Sequence, residues 1–249
     1  MKDGEKSLAK LFDLLEHIAA SENGITSKRL SEITEIPLST VFRMLGFLIS
    51  RHYVRRDKAR YYPGMAASRL GRMSIYRDPL LNCVRPEMTR LADETLETVH
   101  LAELRGTRVF YIDKVEGRRS VHMASLNGRF APLHCTGAGK AIWAFLPARM
   151  RRQLLDEVGY SGFTERTIRD SRAMSTELAL IRQRGYAVDD CEHEMGVYAL
   201  AAPILDRNQY PVAGLCISGS ELYLRPRRDE LARQVTEAAS RLSAQLAEN

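Results

Sequence analysis

Apolar residues recur along the first third of this chain at three- and four-residue steps, which predicts helices. From Ser7 to Ala20 the recurring positions are Leu8, Leu11, Phe12, Leu15, Ile18 and Ala19. Gly24 is suited to a left-handed turn after that helix. Thr26 is suited to cap a second, short helix over Ser27 to Thr34, with Leu30 and Ile33 inward. Pro37 fits the first turn of a third helix, which needs no amide proton there. That helix runs to about His52 with Leu38, Val41, Leu45 and Leu48 as its apolar stripe. Tyr53-Val54 and Tyr61-Tyr62 read as two short strands around a charged tip. Gly64 to Tyr76 reads as a connecting helix with apolar Met65, Leu70, Met73 and Ile75. A longer helix follows over Leu80 to His100, with Leu81, Val84, Met88, Leu91, Ala92, Thr95 and Val99 on one side and Pro86 as a point of bending.

Past His100 the pattern turns to strands. Leu101–Arg105, Val109–Val115, Val121–Ser125, Tyr186–Asp189, Val197–Pro203 and Val212–Ser218 are β-rich, and Asp206 to Gln209 marks a hairpin turn between the last two. Helices are predicted over Ala141–Leu146, Ala148–Val158, Arg172–Gln183 and Arg225–Leu246. The expected second domain is α+β, with a largely antiparallel sheet flanked by helices.

Charge sharpens this division. Of the net +6, residues 1–76 hold 13 Lys/Arg against 8 Asp/Glu, while the remainder holds 24 against 23. A basic helical head on a near-neutral larger body points to a polyanion-binding domain joined to one with another task. Ser39, Thr40, Phe42 and Arg43 fall largely off the apolar stripe in the first two turns of the third helix. Hydroxyls, a guanidinium and an aromatic ring there suit contacts to phosphates and base edges. Five basic residues and one acid between Arg51 and Arg60 suit a hairpin wing that lays Arg55, Arg56, Lys58 and Arg60 along a DNA backbone or minor groove. Ser27 and Lys28 open the preceding helix and Leu38 opens the recognition helix, which completes the expected DNA-binding set.

Candidate chemistry in the second part is sparse. Thr136-Gly137-Ala138-Gly139-Lys140-Ala141 lacks the spacing of a phosphate loop, since His134 stands where the first Gly is required and Ala141 follows the Lys. What remains is a small-residue turn opening a helix, with Thr136 as its N-cap. Its free amides either hold a carboxylate or simply permit close helix–sheet packing. Asp189 to Gly196 is a polar, acidic stretch between apolar strands. Cys191 and His193 with His134 and Cys135 lack zinc-site spacing. His134 and Cys135, adjacent on a strand, would face opposite ways and so make a poor nucleophile–base pair. No metal, cofactor or enzymatic activity is expected. Cys216 and Ser218 share one strand face, as do Met123 and Ser125. With the Gly137 turn they would line a concavity for a small organic acid, or else simply be core. The four scattered cysteines suit reduced thiols. The charged N-terminus reads as no signal peptide, and Val197 to Leu205 is too short to span a bilayer, so a cytoplasmic protein off the membrane is expected.

These residues together resemble the IclR-type family of bacterial transcription regulators. The likeness rests on Leu38-Ser39-Thr40-Val41-Phe42-Arg43-Met44-Leu45, on Pro132 through Ala141, on Arg184 through Asp190 with Glu192, Gly196 and Leu200-Ala201-Ala202-Pro203-Ile204, and on Val212 through Gly219. The resemblance implies a winged helix-turn-helix over 1–63, a linker helix over 64–78 and a GAF-like effector-binding domain over 79–249. It implies a homodimer or homotetramer on a pseudo-palindromic operator in double-stranded DNA, answering to a small organic-acid effector. By position it places Met123, Gly137, Ala138, Asp189, Cys216 and Ser218 around that effector. Where some members carry a Cys ten residues after the first Asp of the signature, this chain has Ala199, and its wing is short. Two other readings compete: a small-molecule enzyme or sensor with a helical partner-binding head, and an architectural DNA binder without an effector.

Overall fold

The computed structural model describes residues 3–21, 23–77, 79–119 and 128–248. The chain forms two compact units, Met1–Asp78 and Pro79–Asn249.

In the first unit, α1 (Asp3–Ala19), α2 (Ser27–Thr34) and α3 (Leu38–Ser50) precede a hairpin of β2 (Val54–Asp57) and β3 (Arg60–Pro63), and α4 (Met65–Arg77) follows. Leu14, Ile18, Leu30, Ile36, Val41, Leu45, Leu48, Val54 and Tyr61 form one buried cluster. The α2 and α3 axes turn by 117°, within the range of a helix-turn-helix pair. Thr26 caps α2 by accepting from the Arg29 amide at 3.2 Å. Gly24 has φ +68, and a Cβ there would lie 2.4 Å from the Tyr62 ring, so the wing closes directly on this glycine.

Four details differ from expectation. On α1, Leu8 and Phe12 of the predicted apolar face are exposed, while Leu14, outside that set, is fully buried beside Ile18. A two-residue strand β1 (Ile25–Thr26) pairs with β3 and makes the hairpin a three-stranded sheet; two residues are too few to leave a periodic signal. Leu38 is exposed, and Met44 takes its place in the buried stripe with Val41, Leu45 and Leu48. α1 also begins earlier than predicted.

The second unit is a six-stranded sheet in the order β6-β5-β4-β9-β8-β7, antiparallel throughout. Its strands are β4 (Thr98–Arg105), β5 (Arg108–Val115), β6 (Phe130–Pro132), β7 (Ala187–Asp190), β8 (Val197–Leu205) and β9 (Pro211–Ser220). Helices α5 (Pro79–Thr95) and α10 (Arg228–Glu248) cover one face, on Val99, Leu101, Leu200, Leu215 and Ile217. Helices α6 (Gly137–Phe145), α7 (Ala148–Glu157) and α8 (Ser171–Arg184) cluster with the other face, which carries Ala187, Ala199, Ala201 and Cys216. A short α9 (Glu221–Leu224) and a 3-10 turn (Arg225–Arg227) lead into α10.

Here too the structure corrects particular expectations. The long helix stops at Thr95, and Thr98 to His100 belong to β4. Leu96 turns the chain with φ +65, and from Thr98 onward the antiparallel pairing with β9 fixes an extended register. Gly137 to Lys140 form the first turn of α6 rather than a turn before it. Thr136 holds the N-cap position as expected, its carbonyl accepting from the Lys140 amide at 3.0 Å, but its hydroxyl donates to the Pro132 carbonyl at 2.8 Å and makes no side-chain cap. His134 and Cys135 lie in the turn before α6, not on a strand. The strand expected at Val121–Ser125 falls outside the described residues.

A Cβ on Gly139 would lie 2.4 Å from the Leu133 carbonyl oxygen, so α6 can enter the sheet face at this depth only without one. Gly139→Ala should therefore destabilise the second unit by about 1–3 kcal/mol, the usual cost of overpacking. Trp143, the only tryptophan and fully buried in α6, gives the readout: its emission transition in urea should move to lower denaturant.

Candidate functional site

The first unit presents a basic face. Along α3, Leu38, Ser39, Phe42, Arg43, Gly46 and Phe47 are exposed and Thr40 is half-buried. Beside it, Lys28 is exposed and Ser27 half-buried at the start of α2. Arg55, Arg56, Lys58 and Arg60 are exposed on the wing, whose tip turns at Lys58 with φ +52, as a tight two-residue hairpin requires. Among the described residues no carboxylate forms a salt bridge with Arg43, Arg55, Arg56 or Lys58. The wing's aromatics hold its cations in place: the Arg55 guanidinium lies 4.3 Å from the Tyr62 ring centre, and Arg56 lies 5.8 Å from that of Tyr61. Arg60 is committed differently, donating to the Gly24 carbonyl at 2.7 Å and so tying the wing to the loop after α1. Phe47 was not singled out from sequence, because an apolar residue near a buried stripe reads as core; it is about half exposed.

The second unit holds a cavity of about 170 Å³ where the N-terminus of α6 meets the sheet. The strand register builds it. Asp189 on β7 pairs with Ala199 on β8, and Ala199 with Ser218 on β9. Two residues along, Ala187, Ala201, Cys216 and His100 form the next row. Because alternate residues share a face, these two rows point toward α6. Their small members leave a hollow beneath Gly137, whose added Cβ would meet Ala201, Ala199 and Cys216 at 3.4–3.6 Å.

Of the residues assigned to the effector by position, Gly137, Asp189, Cys216 and Ser218 line this cavity. Ala138 does not. It packs against the β9 backbone, where a Cβ on Gly214 would come within 3.2 Å of the Ala138 methyl. Met123 lies outside the described residues. His100, Tyr111, Arg129, Phe130 and His193 were missed as lining residues. Only strand pairing brings β4, β5 and β6 to this spot, and no short motif in the sequence marks it.

Burial governs the electrostatics. Asp189 is held up at about 7, chiefly by burial, with Lys140 opposing and Glu192 reinforcing, while the Glu192 amide donates to its Oδ1 at 2.8 Å. His100 is pushed down to about 3 by burial and by the Lys114 charge, so it is neutral at physiological pH, and its Nδ1 has no hydrogen-bond partner. The Ser218 hydroxyl is likewise buried without a partner. Burial raises the Cys135 and Cys216 thiols well out of the thiolate range, which removes them as nucleophiles. Behind the cavity, Lys140 on α6 forms a buried ion pair with Glu192. Asp190, Cys191 and Glu221 place three possible metal-ligand atoms close together, but Arg166 and Arg225 already pair with both carboxylates. No single helix among the described residues is long and apolar enough to cross a membrane.

This pairing of a basic helix-turn-helix with a ligand-sized cavity on an antiparallel sheet defines a class, the ligand-responsive DNA-binding regulators, and comparison with known proteins makes it particular. Residues 7–58 match the IclR helix-turn-helix domain, and residues 73–244 match the bacterial transcriptional regulator IclR C-terminal domain. The chain is 32% identical to the HTH-type transcriptional regulator KdgR of Escherichia coli over 98% of its own length and 94% of that protein's. It is also 32% identical to the HTH-type transcriptional regulator BhcR of Paracoccus denitrificans, over 96% of this chain and 87% of the relative. The crystal structure of the Thermotoga maritima IclR superposes with a TM-score of 0.84 at 32% identity, covering 97% of this chain and 99% of the other. The chain therefore belongs to the IclR family of bacterial transcriptional regulators. These are regulators rather than enzymes, which sets aside the enzyme reading of the second unit.

Lys140→Met should destabilise the second unit by about 3–5 kcal/mol, because it leaves Glu192 as an unpaired buried carboxylate. Adding Glu192→Leu should recover much of that loss. Urea titrations of the single and double variants, followed by Trp143 emission, measure both; a double variant no better than the single would mean that the pair's charge is not what matters.

Proposed function

We propose that this protein is a cytoplasmic transcription regulator that controls a catabolic operon in response to a small organic acid, a sugar-acid or aromatic-acid metabolite. The observation that carries the effector reading is the cavity at the α6 N-terminus. It is close in size to the roughly 150 Å³ that suffices for one benzene ring. Its polar groups include the first amides of α6, the unpartnered Ser218 hydroxyl, the exposed Arg129 at the rim, the uncharged His100 and Asp189 near half-protonation, with Glu194 as the one other carboxyl on its lining. A ligand carboxylate would accept from the helix amides and from a protonated Asp189. Gly137, Asp189, Cys216 and Ser218 would contact it directly, with Ala138 contributing through its backbone; Met123 joins this set only through its position in the family pattern.

On the DNA side, the reading places α3 in the major groove, with Ser39, Thr40, Phe42 and Arg43 toward the bases and Leu38, Ser27 and Lys28 along its edge. Arg55, Arg56 and Lys58 meet phosphates from the wing, and Arg60 mainly holds the wing in shape. A homodimer, or a homotetramer of two, would present two such helices about 34 Å apart to a pseudo-palindromic operator. The effector acts only by its different affinity for the states that do and do not fit that spacing.

Fluorescence anisotropy on DNA upstream of the gene, at fixed salt against scrambled DNA, tests the whole reading. A preference of about a thousandfold, shifted by one acid from a panel, is the expected outcome. No preference with any acid would sink it. Arg43→Ala should cost about 1–3 kcal/mol on the operator and much less on scrambled DNA. Equal losses would make Arg43 a phosphate contact.

Effector binding should also respond to pH. A bound carboxylate favours protonated Asp189, so binding takes up a proton and affinity falls as pH rises through about 7. Asp189→Asn should flatten this dependence in a calorimetric titration between pH 6 and 8; an unchanged slope in the variant would remove Asp189 from the site.

A further inference from the structure

While the N-terminus of α6 closes one side of the cavity, its C-terminus ends among arginines. The Arg151 guanidinium on α7 donates to the Leu146 carbonyl at 2.8 Å and to Ala144 at 3.4 Å. Arg182 on α8 donates to the same Ala144 carbonyl at 3.0 Å and lies 5.5 Å from the Phe145 ring. Cations at a helix C-terminus are favourable, which accounts for one Nη of each guanidinium. Among the described residues the other nitrogens of both guanidiniums have no hydrogen-bond partner, and Arg151, Arg182 and Arg152 together line a groove between α7 and α8. That groove has a volume of about 380 Å³ and adds the Ser175 hydroxyl and an apolar floor of Leu155 and Leu178.

No carboxylate lines this groove, and among the described residues none forms a salt bridge with Arg151, Arg152 or Arg182. The acid closest to it in sequence on α8, Glu177, is taken by Arg184 at 2.7 Å. Burial lowers the Arg151 pKa, and the charges of Arg182 and Arg152 lower it further, so three like charges converge at a cost. Two of the three guanidiniums are already fixed by backbone carbonyls, so an oxyanion arriving there would find its donors in place.

We propose that the α7–α8 groove is a second ligand site, separate from the α6 cavity, which binds the phosphoryl group of a small phosphorylated metabolite. A phosphate monoester brings about two negative charges and three acceptor oxygens, matching three guanidinium forks and a hydroxyl better than a single carboxylate does. The apolar floor receives its carbon part. The site does not depend on the effector reading. It bears on it nonetheless, since the two ligands would act on opposite ends of one nine-residue helix.

The test is a ³¹P NMR titration of the full chain with inorganic phosphate, with potassium chloride at matched ionic strength as control and citrate as competitor. Saturable broadening of the phosphate signal is expected. Arg152→Glu or Ser175→Glu should weaken it about tenfold or more, the scale of one lost charge-assisted hydrogen bond. Arg149→Glu, an equal charge change on α7 outside the groove, should leave it intact. Native Trp143 emission certifies that each variant is folded. Phosphate bound equally by wild type and Arg152→Glu would put the anion on the basic DNA-binding unit and overturn the proposal. So would equal loss in Arg149→Glu, or displacement by citrate at lower concentration than phosphate itself requires, which would make the site one for polycarboxylates.

Discussion

The buried ion pair between Lys140 and Glu192 holds the second unit's cavity together. Lys140 sits in the first turn of α6, where the helix dipole disfavours a cation, and it is fully buried. A carboxylate has to follow it inside. Glu192 does so, and although burial pushes its pKa up, Lys140 acts against that. Thr164 and Thr167 secure the same segment by donating to the Cys191 and Glu192 carbonyls at 2.8 and 2.6 Å. The Glu192 amide then donates to Asp189. Helix, loop and cavity carboxyl are thus one connected unit; burial raises the Asp189 pKa, and the Lys140 charge and the Glu192 amide restrain that rise.

The two faces of the sheet differ in a way that explains why a cavity exists at all. Toward α5 and α10 the strands offer Val99, Leu101, Leu200, Leu215 and Ile217, which fill the space. Toward α6 they offer Ala187, Ala199, Ala201 and Cys216, which do not. Ala138 against Gly214 brings the helix close enough to seal the hollow on one side. Ala199 keeps the cavity wall small and apolar, between Asp189 on β7 and Ser218 on β9.

The first unit was almost wholly legible from local signals. Its helices are amphipathic and short-range, Thr26 and Gly24 act at the positions their chemistry suggests, and the basic wing follows directly in sequence. The second unit was legible in its elements but not in its assembly. The long helix was carried too far because Val99 continues the helical apolar spacing equally well. Only pairing between Val99 and Ile217 decides that it is a strand residue. Leu38 erred the other way: local spacing put it in the stripe, while packing left it outside with Phe42 and Phe47.

The sequence by itself determined the family, the division into a basic head and a neutral body, the recognition helix, and four of the cavity residues. All of these are written in contiguous motifs or in composition. Only the tertiary structure decided that His100, Tyr111, Arg129 and His193 share that cavity, that Ala138 packs behind it, and that Arg151, Arg152 and Arg182 converge at the far end of α6. The reason is that antiparallel register and helix docking bring together residues far apart in the chain. The burial that sets the protonation of Asp189 and His100 does not exist until they have done so.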